Sequence, residues 1–379
     1  MKLSTKQLLN GILILGGIII AGCAPKNVRP LEHTNVEIYQ HYELKHKIDG
    51  LIKDALVMEN FYRPYGDDQP RDKTHEIVKT FPKAELGFDC IGYYQPKNNF
   101  IPEMSWARRT LEKTFQGFFG PEILVLSKNN SNKITLVFHG MDDKKGDVLL
   151  AFKTIVEKNY EDGKWNSPYK VSGEVFARKP TYNMLFTENV FSPYIKEYGG
   201  EITPNTFLDK FVQKNSTCFT KDHKRIELDI IGHSLGAAIA THALPFLDGL
   251  NWKNQNVKHI YKDDSFVSFE DYPHKYQVNK VTLFGAPRTV SNIGDEREYL
   301  QKKYQNKITN ILLNGDWVRY SFLAKHFHRN NLYIVDPIIL ENTSKARCDV
   351  WFDNYCHHTM TSYLNTLRYL RKKIRNMPN

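Results

Sequence analysis

The amino-acid sequence predicts an α/β fold with a mostly parallel central sheet flanked by helices. Short apolar, β-branched segments alternate along the chain with longer segments of helical periodicity. Four of the apolar segments end in turn sequences that contain glycine, as parallel strands do where loops and helices begin. The chain has 379 residues, of which 41% are hydrophobic and 25% charged. This composition supports a large buried core and excludes disordered, collagen-like and coiled-coil chains.

The N-terminal region has the pattern of an export signal. Lys2 and Lys6 precede a nearly uninterrupted apolar run at 8–21. This run is shorter than the roughly 20 residues that span a bilayer, and its length is typical of a secretory signal. The small residues Ala21 and Gly22 stand directly before Cys23, and this sequence resembles the lipobox of bacterial lipoproteins.

The lipobox resemblance implies that residues 1–22 are a signal peptide and that Cys23 is lipidated. The acyl chains would anchor the mature chain stably to a membrane surface. Ala24 stands where an aspartate would indicate retention in the inner membrane, so the outer membrane is favoured. The alternative is an uncleaved anchor with an incidental cysteine.

Export would also determine the state of the other cysteines. Four remain, at Cys90, Cys218, Cys348 and Cys356. An even number in an oxidising compartment permits two disulfides, in three possible connectivities. Pairing Cys348 with Cys356 closes a short loop and leaves Cys90 with Cys218; four buried free thiols are the alternative.

The region 23–120 is predicted to be a lipidated tether followed by an N-terminal extension that is partly helical and partly irregular. Apolar residues recur at steps of three and four over 48–56, which predicts a helix with one buried face. The segment 61–100 is rich in proline, glycine, aspartate and aromatic residues and predicts irregular structure. A further helix is predicted at 105–116.

The remaining residues, 121–379, are predicted to form the α/β domain. Two apolar runs, 122–127 and 133–139, flank a turn-like Asn-Asn-Ser-Asn sequence and predict a hairpin. Apolar β-branched runs predict further strands at 225–231, 278–284, 307–313 and 332–335. Helical spacing predicts helices at 144–158, 206–214, 235–250, 295–302 and 359–374.

The net charge is mildly positive. Lys and Arg number 52 against 42 Asp and Glu, which gives +10. Two short basic runs, Arg368 to Lys373 and Lys221 to Arg225, are explained by a solvated surface or, alternatively, by attraction to an anionic membrane. No basic helix has base-reading spacing, so no nucleic-acid partner is expected.

A G-x-S-x-G sequence at 232–236 carries the strongest chemical signal. The apolar strand at 225–231 runs straight into it, and a helix of small residues leaves it. This is the context of a nucleophile elbow, in which Gly232 and Gly236 permit a tight turn that raises the Ser234 hydroxyl above the sheet. The following helix N-terminus supplies positive potential. The alternative is an ordinary loop serine.

A serine nucleophile needs a base, and the base needs an acid that orients it. In chains with this elbow the acid and then the histidine follow after later strands. Asp316 follows the apolar run at 307–313 and is the predicted acid, which would fix the histidine tautomer; a turn aspartate is the alternative. His358 is the predicted base, and the neighbouring His357 is the second choice.

An oxyanion hole is predicted between two backbone segments. The strand at 133–139 runs into Gly140 and Met141, and glycine lets the backbone approach a substrate closely. The N–H groups of Met141 and Leu235 are the predicted donors to the developing negative oxygen.

Five motifs now resemble, in order, those of the class 3 or fungal-type lipases of the α/β-hydrolase superfamily. They are VFHG at 137–140, GHSLGAAIA at 232–240, VTLFGAPR at 281–288, NGDWV at 314–318, and the pair His358 and Tyr363. The resemblance covers about 120–370 and implies an α/β-hydrolase-type fold with Ser234, Asp316 and His358 as catalytic triad. Met141, Ala237 and Arg319 differ from the residues usual in that family, but no triad member is missing.

The resemblance further implies hydrolysis of carboxylic ester bonds in acylglycerols or phospholipids, without a metal or other cofactor. With the lipoprotein signal it predicts a serine esterase anchored in the bacterial cell envelope. One alternative is a catalytically silent surface lipoprotein that uses the fold for binding. Another is a lipid acyltransferase that passes the acyl group to an alcohol.

Candidate zinc ligands are also present at His326, His328, Cys356, His357 and His358. The spacing of these residues fits no standard set of zinc ligands, so no metal site is expected there.

Overall fold

The computed structural model describes residues 36–62, 74–94, 122–140, 206–220, 225–248, 276–287, 290, 295–314, 316, 318, 332–335 and 358–375. The helices are α1 (Val36–Tyr62), α2 (Thr74–Thr80), α3 (Thr206–Lys214), α4 (Leu235–Leu247), α5 (Asp295–Tyr304) and α6 (Met360–Arg375). The strands are β1 (Cys90–Tyr94), β2 (Ile123–Ser127), β3 (Lys133–Phe138), β4 (Ile226–His233), β5 (Tyr276–Phe284), β6 (Ile308–Leu313) and β7 (Leu332–Val335).

These seven strands form one sheet in the order of the sequence. The pairs β1–β2 and β2–β3 are antiparallel, which confirms the predicted hairpin. All pairs from β3 to β7 are parallel. The mostly parallel sheet with flanking helices confirms the predicted α/β-hydrolase-type fold class.

The two faces of the sheet are covered by different helices. One face packs against α3, α4 and α5, and the other packs against α1 and α6. Alternate residues of β2 go to opposite faces, with Ile123 and Val125 on the first and Leu124 and Leu126 on the second. Parallel strands are buried on both faces, so their sequences are nearly continuous apolar runs. For this reason β4, β5 and β6 could be predicted from the sequence.

Part of the predicted N-terminal extension lies in the core of this architecture. The apolar face of α1 is buried against the sheet and α6, with Leu51, Ala55, Met58 and Phe61 almost fully inaccessible. The prediction of irregular structure for 61–100 is wrong at α2 and β1. β1 is short, half-exposed and interrupted by a glycine, so it lacks the apolar alternation by which a strand is recognised.

A disulfide joins Cys90 of β1 to Cys218, which follows α3. This confirms one of the two predicted pairings; Cys348 and Cys356 lie outside the described residues, as do the predicted helices at 105–116 and 144–158. Within the described ranges, no helix combines the length and apolar character needed to cross a bilayer.

Candidate active site

The carboxyl ends of the parallel strands meet at one edge of the sheet, where ligands bind in open α/β folds. Phe138 at the end of β3 pairs with Gly232 of β4, and His233 pairs with Phe284 at the end of β5. Phe284 in turn pairs with Ile311 of β6. The register therefore brings the turns after β3, β4, β5 and β6 to the same edge.

Ser234 occupies a tight turn between β4 and α4. Its φ is 55°, in the left-handed region that non-glycine residues seldom adopt, and its N–H donates to the carbonyl oxygen of Phe284 at 3.0 Å. The turn leaves no room for a side chain at Gly232, where a Cβ would lie 2.7 Å from the Cα of Ala237. The backbone geometry is that of a nucleophile elbow, in which strain is held by the surrounding sheet and helix.

Ser234, His358 and Asp316 form a continuous hydrogen-bonded series. The Ser234 Oγ lies 2.7 Å from His358 Nε2, and His358 Nδ1 lies 2.8 Å from Asp316 Oδ2. A carboxylate only accepts, so Nδ1 carries the proton and Nε2 accepts from the serine hydroxyl. All three side chains are buried, with exposed fractions of 5%, 6% and 0%. The structure thus brings together the three residues that the sequence predicted as a triad.

Two groups besides His358 hold the Asp316 carboxylate. The Val318 N–H donates to Oδ1 at 2.9 Å, and the Tyr363 hydroxyl of α6 donates to Oδ2 at 2.6 Å. Burial, followed by the charge of Asp316, raises the pKa of Tyr363 well above its ordinary value, so the phenol keeps the proton it donates. The sequence motif included Tyr363 without indicating this contact.

Tyr62 and His233 extend the site in a way that the sequence analysis missed. His233 Nε2 lies 2.8 Å from the carbonyl oxygen of His358, so Nε2 is the donor. Its Nδ1 then accepts from the Tyr62 hydroxyl at 2.6 Å, and the same hydroxyl accepts from the Gly140 N–H at 2.8 Å. Burial, with His358 as the next cause, holds the pKa of His233 well below its ordinary value. The ring is therefore neutral at neutral pH, as this bonding pattern requires.

This network joins the last residue of α1 to the backbone of Gly140 after β3 and to the side chain of His233 at the end of β4. No sequence signal marks Tyr62, because its partners Gly140 and His233 are 78 and 171 residues away. Tyr62 is therefore a positioning residue: it contacts the residue before Ser234 and, through His233, the backbone of His358.

Replacing Tyr62 by phenylalanine is expected to lower kcat for ester substrates by about 10- to 100-fold with little change in KM, since displacing reacting groups by an ångström has effects of that size. The matched control is Tyr276→Phe, which removes a hydroxyl that donates to Asp209 at 2.6 Å in α3, away from the site. Steady-state kinetics and thermal unfolding of both variants check the prediction. Equal losses of activity in the two variants would contradict a positioning role for Tyr62.

Of the two predicted oxyanion-hole donors, Leu235 and Met141, only Leu235 lies among the described residues. Leu235 is the first residue of α4, and the N–H groups in a first helical turn have no acceptor within the helix. Met141 lies outside the described residues, as do Cys23 and His357. In the described part of the chain, no three His, Cys, Asp or Glu side chains cluster as metal ligands.

The described residues include a candidate nucleophile, a candidate base and a candidate orienting acid for acyl transfer. His358 can take the proton of Ser234 because Nε2 accepts, and Asp316 fixes that tautomer. The N-terminus of α4 adds positive potential beside Ser234, where negative charge would develop on a substrate oxygen.

Comparison with known proteins yields likenesses in structure only. No protein-family model matches the sequence, and no curated protein sequence is significantly similar. Similar solved structures include M37 lipase, with 11% identity, 86% of this chain and 95% of that chain covered, and a TM-score of 0.42. Lip2 lipase from Yarrowia lipolytica has 15% identity and a TM-score of 0.37, and the match covers 80% of this chain and 81% of that chain. The Rhizomucor miehei lipase propeptide complex has 12% identity and a TM-score of 0.33, and the match covers 77% of this chain and 67% of that chain.

Proposed function

We propose that the protein is a membrane-anchored serine esterase that hydrolyses carboxylic ester bonds of acylglycerols or phospholipids. The observation that carries the proposal is the buried Ser234–His358–Asp316 series at the carboxyl edge of a parallel sheet. An ordinary loop serine requires neither a left-handed backbone nor an imidazole nitrogen within hydrogen-bond distance of its hydroxyl.

The proposed reaction has two halves. The Ser234 Oγ attacks the ester carbonyl carbon while His358 Nε2 takes its proton, and the backbone N–H groups of Leu235 and Met141 stabilise the oxyanion. His358 then gives the proton to the departing alcohol, which leaves an acyl-enzyme. Water, deprotonated by His358, attacks the acyl carbon and releases the carboxylic acid, and the proton returns to Ser234.

The anchor is proposed to be a lipidated Cys23, exposed as the first residue once 1–22 are removed. The basis is the sequence alone: a short positive start, an apolar run and small residues before the cysteine. The corresponding location is the bacterial cell envelope, at the outer membrane. Metabolic labelling with an alkyne fatty acid should mark the wild type and leave Cys23→Ala unlabelled.

The activity is tested with the full chain and Ser234→Ala as its control. Both are exposed to a fluorophosphonate probe and then to p-nitrophenyl esters of increasing chain length. Labelling and hydrolysis of the wild type alone, with rates that rise for longer acyl chains, are expected for a lipid esterase. Absence of labelling in a demonstrably folded protein would overturn the proposal in favour of a binding lipoprotein. Efficient transfer to an added alcohol would indicate an acyltransferase.

A further inference from the structure

The solvent-facing side of α6 is strongly basic over its last two turns. Its buried side inserts Leu367, Leu370 and Ile374 into the core shared with α1. The rest of these turns carries five cations within eight residues: Arg368, Lys372, Lys373 and Arg375 are exposed, and Arg371 is half-buried beside α1. We call these five residues and Tyr369 the basic end of α6.

Among the described residues, a single carboxylate pairs with the cations of the basic end. Asp49 of α1 pairs with Arg371 at 3.3 Å and with Arg375 at 3.6 Å. Of the described residues, no carboxylate pairs with Arg368, Lys372 or Lys373, which are all exposed. A favourable interaction with the C-terminal dipole of α6 accounts for one or two cations in a last turn, but not for five.

An exposed aromatic ring lies among these cations. Tyr369 is 41% exposed, more than any other large hydrophobic side chain of the described residues. The ammonium group of Lys373 lies over its ring, 4.8 Å from the centroid. An amphipathic ring among lysines and arginines is the composition that favours the headgroup region of an anionic bilayer.

Helix α1 begins at this same end of the molecule. Thr361 at the start of α6 contacts Glu59 near the end of α1, whereas Arg371 contacts Asp49. The two helices are therefore antiparallel, so the start of α1 lies on the side of the basic end. The 12 residues between Cys23 and Val36 then let these two residues lie at most about 45 Å apart.

The candidate active site lies at the opposite end of both helices. Tyr62 is the last residue of α1, and His358 lies two residues before the start of α6. At 1.5 Å per residue, Tyr62 is about 40 Å from the start of α1, and His358 is about 25 Å from Arg375. The cations of the basic end thus lie about 15 to 25 Å from His358 along α6, on the side toward the start of α1.

We propose that the basic end of α6 is a docking surface for an anionic lipid bilayer and that it turns the candidate active site away from the membrane that holds the anchor. Ester substrates then reach Ser234 from the aqueous side or from an apposed surface, and not from the anchoring leaflet. The route by which ester substrates reach Ser234 rests on the proposed function. The docking surface does not depend on that function.

The test uses the full chain in vesicles of phosphatidylcholine, with or without phosphatidylglycerol as the anionic lipid. An amine-reactive reagent that cannot cross membranes is added outside, and labelling of each lysine is measured by mass spectrometry. Labelling of Lys372 and Lys373 is expected to fall about fivefold or more with anionic lipid only, since each cation near such a surface favours contact by about that factor. High salt should reverse the protection.

Matched control lysines lie on the helices that cover the other face of the sheet. Lys210, Lys214 and Lys302 are exposed on α3 and α5 and should be labelled equally with both lipids. Equal labelling of Lys372 and Lys373 in the two kinds of vesicle would overturn the docking surface. Protection of these two lysines by an added oligonucleotide, and not by anionic vesicles, would overturn it in favour of nucleic acid.

The orientation is tested by energy transfer from a fluorescent fluorophosphonate on Ser234 to an acceptor in the headgroups. Transfer should be weakest with anionic lipid and should rise in the triple variant Arg368→Gln, Lys372→Gln, Lys373→Gln. The variant Lys210→Gln, Lys214→Gln, Lys302→Gln should behave as wild type. Strong transfer in wild type on anionic vesicles would overturn the orientation. Failure of Ser234 to react bears on the proposed function alone, because the lysine labelling decides the docking surface without it.

Discussion

Replacing Asp316 by asparagine is expected to lower kcat by about 10⁴-fold while the protein stays folded, the size of effect seen when a triad carboxylate loses its charge. Asp316 Oδ2 accepts from both His358 Nδ1 and the Tyr363 hydroxyl. An asparagine side chain has one acceptor oxygen and one donor NH₂ group in place of the two acceptor oxygens of aspartate. If the NH₂ group faces His358, the ring must carry its proton on Nε2, and it can no longer take a proton from Ser234.

The control for this substitution is Asp248→Asn. Asp248 is also a buried carboxylate, and it accepts from the Val278 N–H at 2.8 Å and from the Tyr304 hydroxyl at 3.1 Å. It follows the end of α4, about 20 Å from Ser234 along the helix. Both variants should lose stability in urea unfolding, but only Asp316→Asn should lose ester hydrolysis. Retention of a tenth or more of the activity by Asp316→Asn would remove Asp316 from the proposed mechanism.

Replacing Gly285 by alanine is expected to lower kcat by about 100-fold, because it displaces the catalytic imidazole. Gly285 follows β5 with φ 56°, and a Cβ built there lies 2.9 Å from Cε1 and 3.0 Å from Nδ1 of His358. The ring is already held by Asp316 on one side and Ser234 on the other. It cannot move away from a new methyl group without lengthening one of these two hydrogen bonds.

Gly87→Ala separates this displacement from the backbone effect. Gly87 also has a positive φ, of 76°, but its Cβ would meet only the Lys128 side chain, at 3.8 Å. Both substitutions therefore carry the same left-handed penalty of about 1–2 kcal/mol in the free energy of unfolding. Thermal unfolding should show a loss of stability in both variants, with the larger loss for Gly285→Ala because of its contact with His358, whereas kcat should fall for Gly285→Ala alone. A parallel fall in kcat for both would mean that backbone strain, and not His358, is responsible.

Local sequence patterns carried the prediction of most of the fold. The strands β2 to β7 and the helices α3 to α6 follow predicted segments, with boundaries that differ by a few residues. Each is either a continuous apolar run or a segment with helical spacing. Both patterns can be recognised from about ten consecutive residues. The elbow around Ser234 was predictable for the same reason, because strand, tight turn and helix are consecutive.

The predictions failed where an element has no pattern of its own. β1 is stabilised by pairing with β2 and by the disulfide from Cys90 to Cys218, whose separation in the chain is 128 residues. α1 was predicted as a helix from its apolar spacing, but its place in the core was not. Its contact with α6 joins residues some 300 positions apart, such as Thr361 and Glu59.

The sequence by itself determined the α/β class and the identity of the candidate nucleophile, acid and base, because turn chemistry and periodicity are local. Only the tertiary structure decided that Tyr62 and His233 support that site, and that the basic end of α6 and the start of α1 share one end of the molecule. The physical reason is that these arrangements depend on hydrogen bonds and packing between distant segments. Such contacts form once the sheet register is set, and no residue spacing along the chain encodes them.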